Sequence, residues 1–194
     1  MRAGGVAAIL LTGGSSRRMG FDKAGLRIGG ETLARRLARL LMDVAEPVVE
    51  VGRGRSGLPA VLESPPGAGP LAAIGAGRAA LRLAGHDGSA LVIACDLPFV
   101  TKELLELLAA HPSDASVLPV VGGIDQPLLA RWSATDLDAA AELVASGDRS
   151  LRRLPDRTAA TRLGEADWGA VADPRAFADA DTPADLATLG VCSA

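Results

Sequence analysis

The chain has 194 residues, enough for one α/β domain that buries roughly two thirds of the surface of its unfolded chain. Its net charge of −3 gives no reason to expect nucleic acid or an acidic membrane as a partner, and no stretch approaches the ~20 apolar residues of a membrane span. Its two cysteines are too few for a disulfide framework or a metal cluster, which favours a reducing, cytoplasmic setting.

Strand and helix patterns alternate along the first part of the chain. Apolar runs predict strands at residues 6–11, 48–51, 60–62 and 89–94. Spaced leucines, an alanine-rich segment and a segment capped by Thr101 predict helices at 31–44, 71–83 and 101–110. This alternation predicts a single α/β domain over 1–194, with three α/β/α layers around a mostly parallel, twisted, Rossmann-like sheet. Ligands of such sheets bind outside the carboxyl ends of the strands.

A loop rich in glycine, serine and basic residues follows the first predicted strand. It combines glycines that let the backbone approach phosphate oxygens with cations that attract them, namely Gly13, Gly14, Gly20, Arg17, Arg18 and Lys23. Neither the P-loop pattern nor the dinucleotide-binding glycine pattern fits it. The loop therefore predicts a polyphosphate site of another type, the alternative being an ordinary surface loop with solvated arginines.

The loop sequence, Leu-x-Gly-Gly-x-Ser-x-Arg-Met-Gly-x-Asp-Lys over 11–23, resembles the signature of the molybdenum cofactor guanylyltransferases, a family of nucleotidyltransferases. The resemblance implies that residues at the start of the loop bind the nucleotide, namely Leu11, Thr12, Gly13, Gly14 and Ser15. It also implies that Arg18 and Lys23 act in catalysis and that Lys23 contacts the nucleotide. The Gly-Gly pair resembles the guanylyl branch, because cytidylyl relatives tend to have Ala-Gly there, and Thr12 stands where the family usually has Ala.

Asp96 follows the predicted strand 89–94, in the segment Cys-Asp-Leu-Pro-Phe. It is expected at the same sheet edge as the glycine loop, where a carboxylate can bind Mg²⁺ together with phosphate oxygens and water. An aspartate there can also cap the element that follows. The segment resembles the second signature of the family, which implies that Asp96 is catalytic, holds Mg²⁺ and contacts the nucleotide.

The segment 62–71, Leu-Glu-Ser-Pro-Pro-Gly-Ala-Gly-Pro-Leu, predicts a tight loop before a helix with Pro70 at its first position. It resembles a family segment in which an acidic residue helps to recognise guanine and a glycine lies near the nucleotide. The resemblance implies these nucleotide contacts for Glu63, where the family usually has Asp, and for Gly69. Glu50 lies near a position where the family can have Asn, and no role is assigned to it.

Apolar flanks on both sides of Gly-Gly-Ile-Asp at 122–125 predict a hairpin, a small antiparallel excursion from the parallel sheet. The Gln-Pro-Leu triplet that begins at Gln126 resembles the acceptor-side segment of the family, which implies an acceptor contact for Gln126. Arg149 lies in 146–154, where a helix-cap signal also fits a capped surface helix. The resemblance implies that Arg149 holds the phosphate or the pterin of the acceptor, and its planar fork suits a phosphate monoester.

Thr182 and Pro183 predict the start of a helix near the carboxyl terminus. Asp179 and Asp181 precede this cap and fall where the family often has Asn or Asp near the metal and the acceptor. The resemblance implies acceptor contacts for both residues and a second, weaker metal contact for Asp181.

The resemblance as a whole implies a Mg²⁺-dependent enzyme that transfers GMP from GTP to the phosphate of molybdopterin or molybdenum cofactor. It implies a nucleotide-binding half at about 1–100 and an acceptor-binding half at about 101–194, with cofactor-biosynthesis or apo-molybdoenzyme proteins as further partners. The alternatives are a small nucleotidyltransferase that uses CTP, a sugar phosphate or a phospho-acid, and a nucleotide-binding protein without turnover. The presence of Arg18, Lys23 and Asp96 argues against the last.

Overall fold

The computed structural model describes residues 5–13, 26–28, 30–148, 150–151, 153–156 and 159–180. The strands in these ranges are β1 (Ala7–Leu11), β2 (Arg27–Ile28), β3 (Glu31–Thr32), β4 (Val48–Val51), β5 (Ala60–Val61), β6 (Ala90–Ala94), β7 (Val117–Val121), β8 (Ile124–Asp125), β9 (Leu129–Trp132) and β10 (Thr161–Leu163). The helices are α1 (Leu33–Met42), α2 (Pro70–Leu83), α3 (Lys102–Ala110), α4 (Ala134–Ala145), α5 (Arg153–Asp156) and α6 (Glu165–Trp168), and a 3₁₀ turn spans Pro174–Phe177.

The main sheet has the strand order β10-β7-β9-β6-β1-β4-β5, with β8 paired to β7. Strand β1 is parallel to β4 and β6, and β4 is parallel to β5. Strand β9 is antiparallel to both of its neighbours, β6 and β7. The carboxyl ends of the parallel strands β1, β4, β5 and β6 therefore lie along one edge of the sheet, which we call the carboxyl edge.

Helices cover both faces of this sheet. All residues of β1 are buried, as expected of a parallel strand between two helical layers. Leu10 packs in the core that contains the leucines of α1 and α3, whereas Ile9 packs in the core of α2 and α4. These two cores confirm the predicted three-layer arrangement. None of the helices that the structure describes has the length and apolar character needed to cross a membrane.

Three helices begin at a hydroxyl side chain that accepts a hydrogen bond from the first helical turn, as N-caps do. Thr32, Thr101 and Ser133 accept these bonds at the starts of α1, α3 and α4, at 3.4, 3.3 and 3.2 Å. The cap predicted at Thr101 is thereby confirmed. On the sheet side of α2, a Cβ at Gly77 would lie 2.5 Å from Cγ2 of Ile9, so this helix approaches β1 too closely for a larger residue.

The predicted strands and helices before residue 111 are present, with ends that differ by one or two residues. A hairpin is present as predicted, but its turn is only Gly122-Gly123, with positive φ (+57° and +80°) as tight hairpin turns require. Ile124 and Asp125, predicted as part of the turn, form β8 instead. Helix α4 and strand β10 were not predicted, although Ser133 is a good N-cap residue. The cap signal at 146 belongs to the end of α4, where Ser146 is the C-cap. The helix predicted from Thr182 lies outside the described residues.

Candidate active site

The loop that follows β1 starts at the carboxyl edge and is held there by backbone hydrogen bonds. The N–H groups of Thr12 and Gly13 donate to the carbonyl of Val51 at 3.0 and 3.1 Å. On the other side of β1, the N–H of Cys95 donates to the carbonyl of Leu11 at 3.0 Å. The residues that follow β1, β4 and β6 therefore lie side by side, and Leu11, Thr12 and Gly13 are at the edge where the sequence predicts the nucleotide.

Glu63 lies two residues after β5 and directs its carboxylate toward the start of this loop. The side chain is buried, with Glu63 only 9% exposed. Its Oε1 accepts a hydrogen bond from the N–H of Gly67 at 2.9 Å, while a Cβ at Gly13 would lie 3.6 Å from Oε2. No described residue donates a hydrogen bond to Oε2. Glu63 and Gly13, which are far apart in the sequence, thus share one corner of the carboxyl edge with an acceptor oxygen available there.

Helix α2 starts close to Glu63. Gly69 is its N-cap residue, with φ of +100°, and Pro70 is the first residue of the helix, as predicted. The carbonyl of Gly69 accepts a hydrogen bond from the N–H of Ala73 at 3.1 Å. Because α2 is the next element after β5, its amino-terminal end lies at the carboxyl edge. Gly69 is therefore at the edge where the sequence predicts the nucleotide.

Asp96 follows β6 at the same edge and is half-buried. Its carbonyl accepts a hydrogen bond from the N–H of Ala180 at 2.9 Å, which brings the exposed Asp179 to the neighbouring position along the chain. The same distant segment is fixed a second time, because the guanidinium of Arg175 lies over the ring of Phe99, 4.7 Å from its centroid. The structure therefore brings together Asp96 and Asp179, as the sequence predicts.

A small apolar cluster lies beside Asp96. It contains the buried residues Leu26 and Ala180, with Ile28 and Phe99 packed against them. Leu26 is the first described residue after the stretch 14–25, and Gly13 is the last one before it. Gly13 therefore lies beside Glu63, and Leu26 packs against Ala180, in the segment that contacts Asp96.

Glu50 is a fully buried acid of β4 for which the sequence offered no role. Its Oε1 accepts hydrogen bonds from the Thr12 hydroxyl and from the N–H of Arg55 at 2.9 Å. Its Oε2 accepts from the N–H and the hydroxyl of Ser56, at 2.8 and 2.5 Å. Burial raises the pKa of Glu50, but these hydrogen bonds outweigh it, so the pKa lies below the usual value of 4.5. The ionised carboxylate ties the loop after β4 to Thr12.

The contact between that loop and Thr12 is close. A Cβ at Gly52 would collide with the Thr12 hydroxyl oxygen and would lie 3.0 Å from the nitrogen of Gly13. Only glycine fits at this point, because any larger residue would displace Thr12 and Gly13. These are the first residues of the loop that follows β1, which we call the nucleotide loop after its predicted ligand. An acidic residue inside an otherwise apolar strand was the signal in the sequence that could have identified Glu50.

Gln126 lies where the hairpin returns to the main sheet. Its N–H donates to the carbonyl of Pro119 at 2.9 Å, and its side-chain amide donates to the carbonyl of Ile124 at 3.2 Å. Two residues later, the carbonyl of Leu128 accepts a hydrogen bond from the N–H of Ala94, next to the end of β6. Gln126 therefore lies two residues before the point where this segment pairs with the end of β6, and its amide is hydrogen-bonded within its own hairpin. Its contact with an acceptor stays a prediction.

Several predicted site residues lie outside the described residues, and their predictions stay predictions. They are Gly14, Ser15, Arg18, Lys23, Arg149 and Asp181.

The described carboxylates suit Mg²⁺ better than a metal held by protein ligands alone. No group of three or more His, Cys, Asp or Glu side chains that could hold a metal converges in the part of the chain that the structure describes. Mg²⁺ typically takes one or two protein carboxylates and completes its shell with phosphate oxygens and water. The half-buried Asp96, at the edge where a triphosphate is expected, fits this pattern.

Comparisons with known proteins place the chain among known families. The family model of the MobA-like NTP transferase domain matches residues 8–162. A Mycobacterium tuberculosis protein named "Probable molybdenum cofactor guanylyltransferase" is 35% identical over 173 residues, covering 84% of this chain and 85% of its own length. A protein of the same name from Opitutus terrae is 37% identical over 162 residues, covering 78% of both.

A solved structure is similar as well. The crystal structure of molybdopterin-guanine dinucleotide biosynthesis protein A from Archaeoglobus fulgidus superimposes with a TM-score of 0.73 at 26% identity, over 94% of this chain and 96% of that one.

Proposed function

Since the chain belongs to the MobA-like NTP transferase family and is a nucleotidyltransferase of molybdenum cofactor biosynthesis, we propose that it transfers GMP from GTP to the phosphate of molybdopterin or molybdenum cofactor. The products are the guanine dinucleotide form of the cofactor and pyrophosphate. We place this reaction in the cytoplasm, in keeping with the two cysteines of the chain.

The observation that carries the proposal is the convergence of Gly13, Glu63 and Asp96 at the carboxyl edge. Gly13 and Glu63 are neighbours there, and Asp96 follows the adjacent strand β6. An acidic side chain beside a glycine backbone suits a guanine base, because the carboxylate can accept from N1–H and N2–H₂ of the base. Oε2 of Glu63 has no donor among the described residues and is the atom to which we assign this contact.

The chemistry requires anions to be brought together. An oxygen of the acceptor phosphate attacks the α-phosphorus of GTP, a new P–O bond forms, and the bond to the β-phosphate breaks as pyrophosphate leaves. No general base is needed, because a phosphate monoester is ionised near neutral pH. The obstacle is repulsion between negative charges, and cations positioned in advance are the main means of lowering it.

The proposed residues divide between the triphosphate, the metal and the acceptor. We assign the triphosphate to the backbone of the glycine loop, to Arg18 and to Lys23, and the acceptor to Arg149, Gln126 and the aspartates 179 and 181. Asp96 would hold Mg²⁺, with Asp181 as a weaker second contact, and the ion when bound supplies positive charge next to the α-phosphate. The remaining work of the site is to hold the acceptor in line with the bond that breaks.

The test is a product assay with purified chain, GTP, Mg²⁺ and molybdopterin or molybdenum cofactor, in which the dinucleotide cofactor and pyrophosphate are both measured. Asp96→Asn should lower turnover roughly 10²–10³-fold. The matched control is Asp87→Asn, since the Asp87 side chain is 81% exposed and pairs with Arg82. Unchanged turnover in Asp96→Asn would contradict the assigned role of Asp96.

The choice of base is tested in the same assay with CTP in place of GTP. We expect GTP to be used in preference, and Glu63→Gln to reduce that preference about tenfold, because an amide cannot accept from both guanine N–H groups as a carboxylate does. Faster turnover of CTP by the unmodified chain would show that this is a cytidylyl enzyme. Turnover with a sugar phosphate or a phospho-acid, but not with molybdopterin, would assign the chain to another small nucleotidyltransferase.

A further inference from the structure

A second concave region lies beside the nucleotide loop. It is a cavity of about 590 Å³ lined by Arg27, Gly30, Glu31, Thr32, Arg35, Gly54 and Arg55, and we call it the arginine cavity. It is bordered by the β2–β3 ribbon, the first turn of α1 and the loop after β4. Its volume is in the range of small-molecule sites, about 300–1,000 Å³. Among the described residues, none to which we assign GTP, Mg²⁺ or the acceptor lines it.

The charge of the lining is strongly positive. Three guanidinium groups face one carboxylate, that of Glu31. Glu31 is the only acid among the described lining residues, and its Oε2 is 3.3 Å from Nη2 of Arg39, which partly offsets its charge. The side chains of Arg27 and Arg35 form no ion pair or hydrogen bond with any described residue. Two guanidinium groups of the cavity are thus available for an anion that is not part of the described chain.

The shape of the lining also favours an anion. Gly30 and Gly54 have no side chain, so a ligand can approach the backbone there. Thr32 and Arg35 belong to the start of α1, and the amino-terminal end of a helix carries a partial positive charge. Arg27, Arg35 and Arg55 are all exposed, so a small anion can reach the cavity from the solvent.

The cavity has a physical connection to the nucleotide loop. The N–H of Arg55, in the cavity wall, and the hydroxyl of Thr12, in the loop, donate to the same Oε1 of Glu50. The arginine cavity and the start of the nucleotide loop are therefore supported by one buried carboxylate.

We propose that the arginine cavity binds a phosphate group, at a site separate from the one where the transfer takes place. Guanidinium groups are well suited to this ligand, because their planar forks donate two hydrogen bonds at once to phosphate oxygens. The phosphate group can come from inorganic phosphate or from a diphosphate such as the pyrophosphate that the proposed reaction releases. The proposal itself rests on the cavity and does not require that reaction.

The experiment is an NMR titration of the ¹⁵N-labelled chain with inorganic phosphate and, separately, with pyrophosphate. The amide signals of Gly30 and Gly54 report on the cavity, and those of Gly13 and Asp96 report on the transfer site. We expect both anions to shift the cavity signals. Tighter binding of pyrophosphate would identify a diphosphate as the ligand, and equal affinities would identify a single phosphate group.

Two variants and a control separate the cavity from the transfer site. The double variant Arg27→Gln/Arg35→Gln should weaken binding at the cavity roughly tenfold or more, since each lost charge-assisted bond costs on the order of a factor of ten. The amide signals of Gly13 and Asp96 should respond to the anions as they do in the unmodified chain. Arg53→Gln is the matched control, an exposed arginine of the same loop that does not line the cavity. Glu31→Gln should tighten binding by roughly two- to fivefold, because it removes the only acid.

The proposal would be overturned if the cavity signals did not respond to either anion, or if they responded equally in the double variant and in the unmodified chain. Failure of the guanylyltransferase proposal has a different signature. It would appear in a further titration with GTP as the absence of shifts at Gly13 and Asp96, whatever the cavity signals do.

Discussion

Two charged side chains are buried near opposite edges of the sheet, and neither has an ion-pair partner among the described residues. Glu50 is near the carboxyl edge, and Arg131 of β9 is opposite Leu91, at the start of β6. Arg131 donates to the carbonyls of Ala109, His111, Ser113 and Ala115, in the connection from α3 to β7. Glu50 instead accepts from N–H and hydroxyl groups of the loop after β4 and of Thr12.

Both buried charges are stabilised in the same way, by hydrogen bonds, but their losses should have different consequences. A buried charge is tolerated where hydrogen bonds replace its water, and each of these charges has a set of backbone partners that no apolar residue could satisfy. Arg131 thereby fixes a connection that is remote from the carboxyl edge, so its loss should affect stability alone. Glu50 fixes the start of the nucleotide loop, so its loss should affect both stability and nucleotide binding.

The largest effect is expected for Arg131→Met. The substitution keeps much of the side-chain volume but leaves the carbonyls of the α3–β7 connection without donors, and we expect a loss of about 3–5 kcal/mol in the free energy of unfolding. Urea unfolding at pH 7 measures it. GTP affinity below the unfolding transition should be unchanged.

Arg162→Met is the matched control for Arg131→Met. Arg162 lies in β10 of the same sheet, but its side chain is 46% exposed and forms its ion pair with Asp125 at the surface. Its substitution should cost less than about 1 kcal/mol. Equal losses in the two variants would show that burial of Arg131 does not decide its contribution.

Glu50→Gln should cost about 2–3 kcal/mol and weaken GTP binding roughly tenfold, because an amide presents donors to the N–H groups of Arg55 and Ser56 that now donate to a carboxylate. Since the folded state lowers the pKa of Glu50, the ionised carboxylate stabilises the fold fully above its usual value of 4.5. That stability is lost as the pH falls below this value and through the lowered pKa. The difference from the unmodified chain should therefore be constant down to about pH 4.5 and shrink below it.

Unfolding curves and calorimetric GTP titrations from pH 7 downward measure both effects of Glu50→Gln. Glu46→Gln serves as the control, because Glu46 is exposed and lies two residues before the same strand. A difference between the Glu50 variant and the unmodified chain that grew on acidification would contradict the assigned role of its carboxylate.

Gly52→Ala should act mainly on binding. The new Cβ would displace the Thr12 hydroxyl and crowd the nitrogen of Gly13, so we expect at least a tenfold loss of GTP affinity with about 1–2 kcal/mol of stability lost. Gly57→Ala tests whether backbone strain alone has this effect, because Gly57 has φ of +87° in the same loop but open space around it. If both variants bound GTP equally well, the contact between Gly52 and Thr12 would not support the nucleotide loop.

The sequence predicted the parts of the fold that are encoded locally. The apolar run that ends at Leu11 and the capping residue Thr101 are each sufficient to indicate their element, and the position of Asp96 follows from the rule for the ends of parallel strands. The two-residue strands β2 and β3 are too short to show the alternation of apolar and polar residues that identifies a strand in a sequence.

The functions of Glu50 and of the arginine cavity could not be predicted in this way. Glu50 depends on a hydroxyl that is 38 positions away, and the cavity combines residues of a ribbon, a helix and a loop. Such contacts are created only when distant segments pack, so a pattern of single residues does not contain them. Glu63 is intermediate, since its type was informative but its proximity to Gly13 required the fold.

Asp138→Asn should have the smallest effect, although Asp138 takes part in more ion pairs than either buried charge. Its carboxylate on α4 accepts from Arg78 at 2.8 Å and from Arg82 at 2.9 Å, which joins α4 to α2. The hydrogen bond from Arg78 is the main reason that the pKa of Asp138 is lowered, and burial opposes it. Because Asp138 is 36% exposed, water screens the charge that the variant removes, and we expect a loss of no more than about 1 kcal/mol by thermal unfolding at pH 7. A loss as large as that of Arg131→Met would mean that the number of ion pairs, rather than burial, sets the contribution of a charge in this fold.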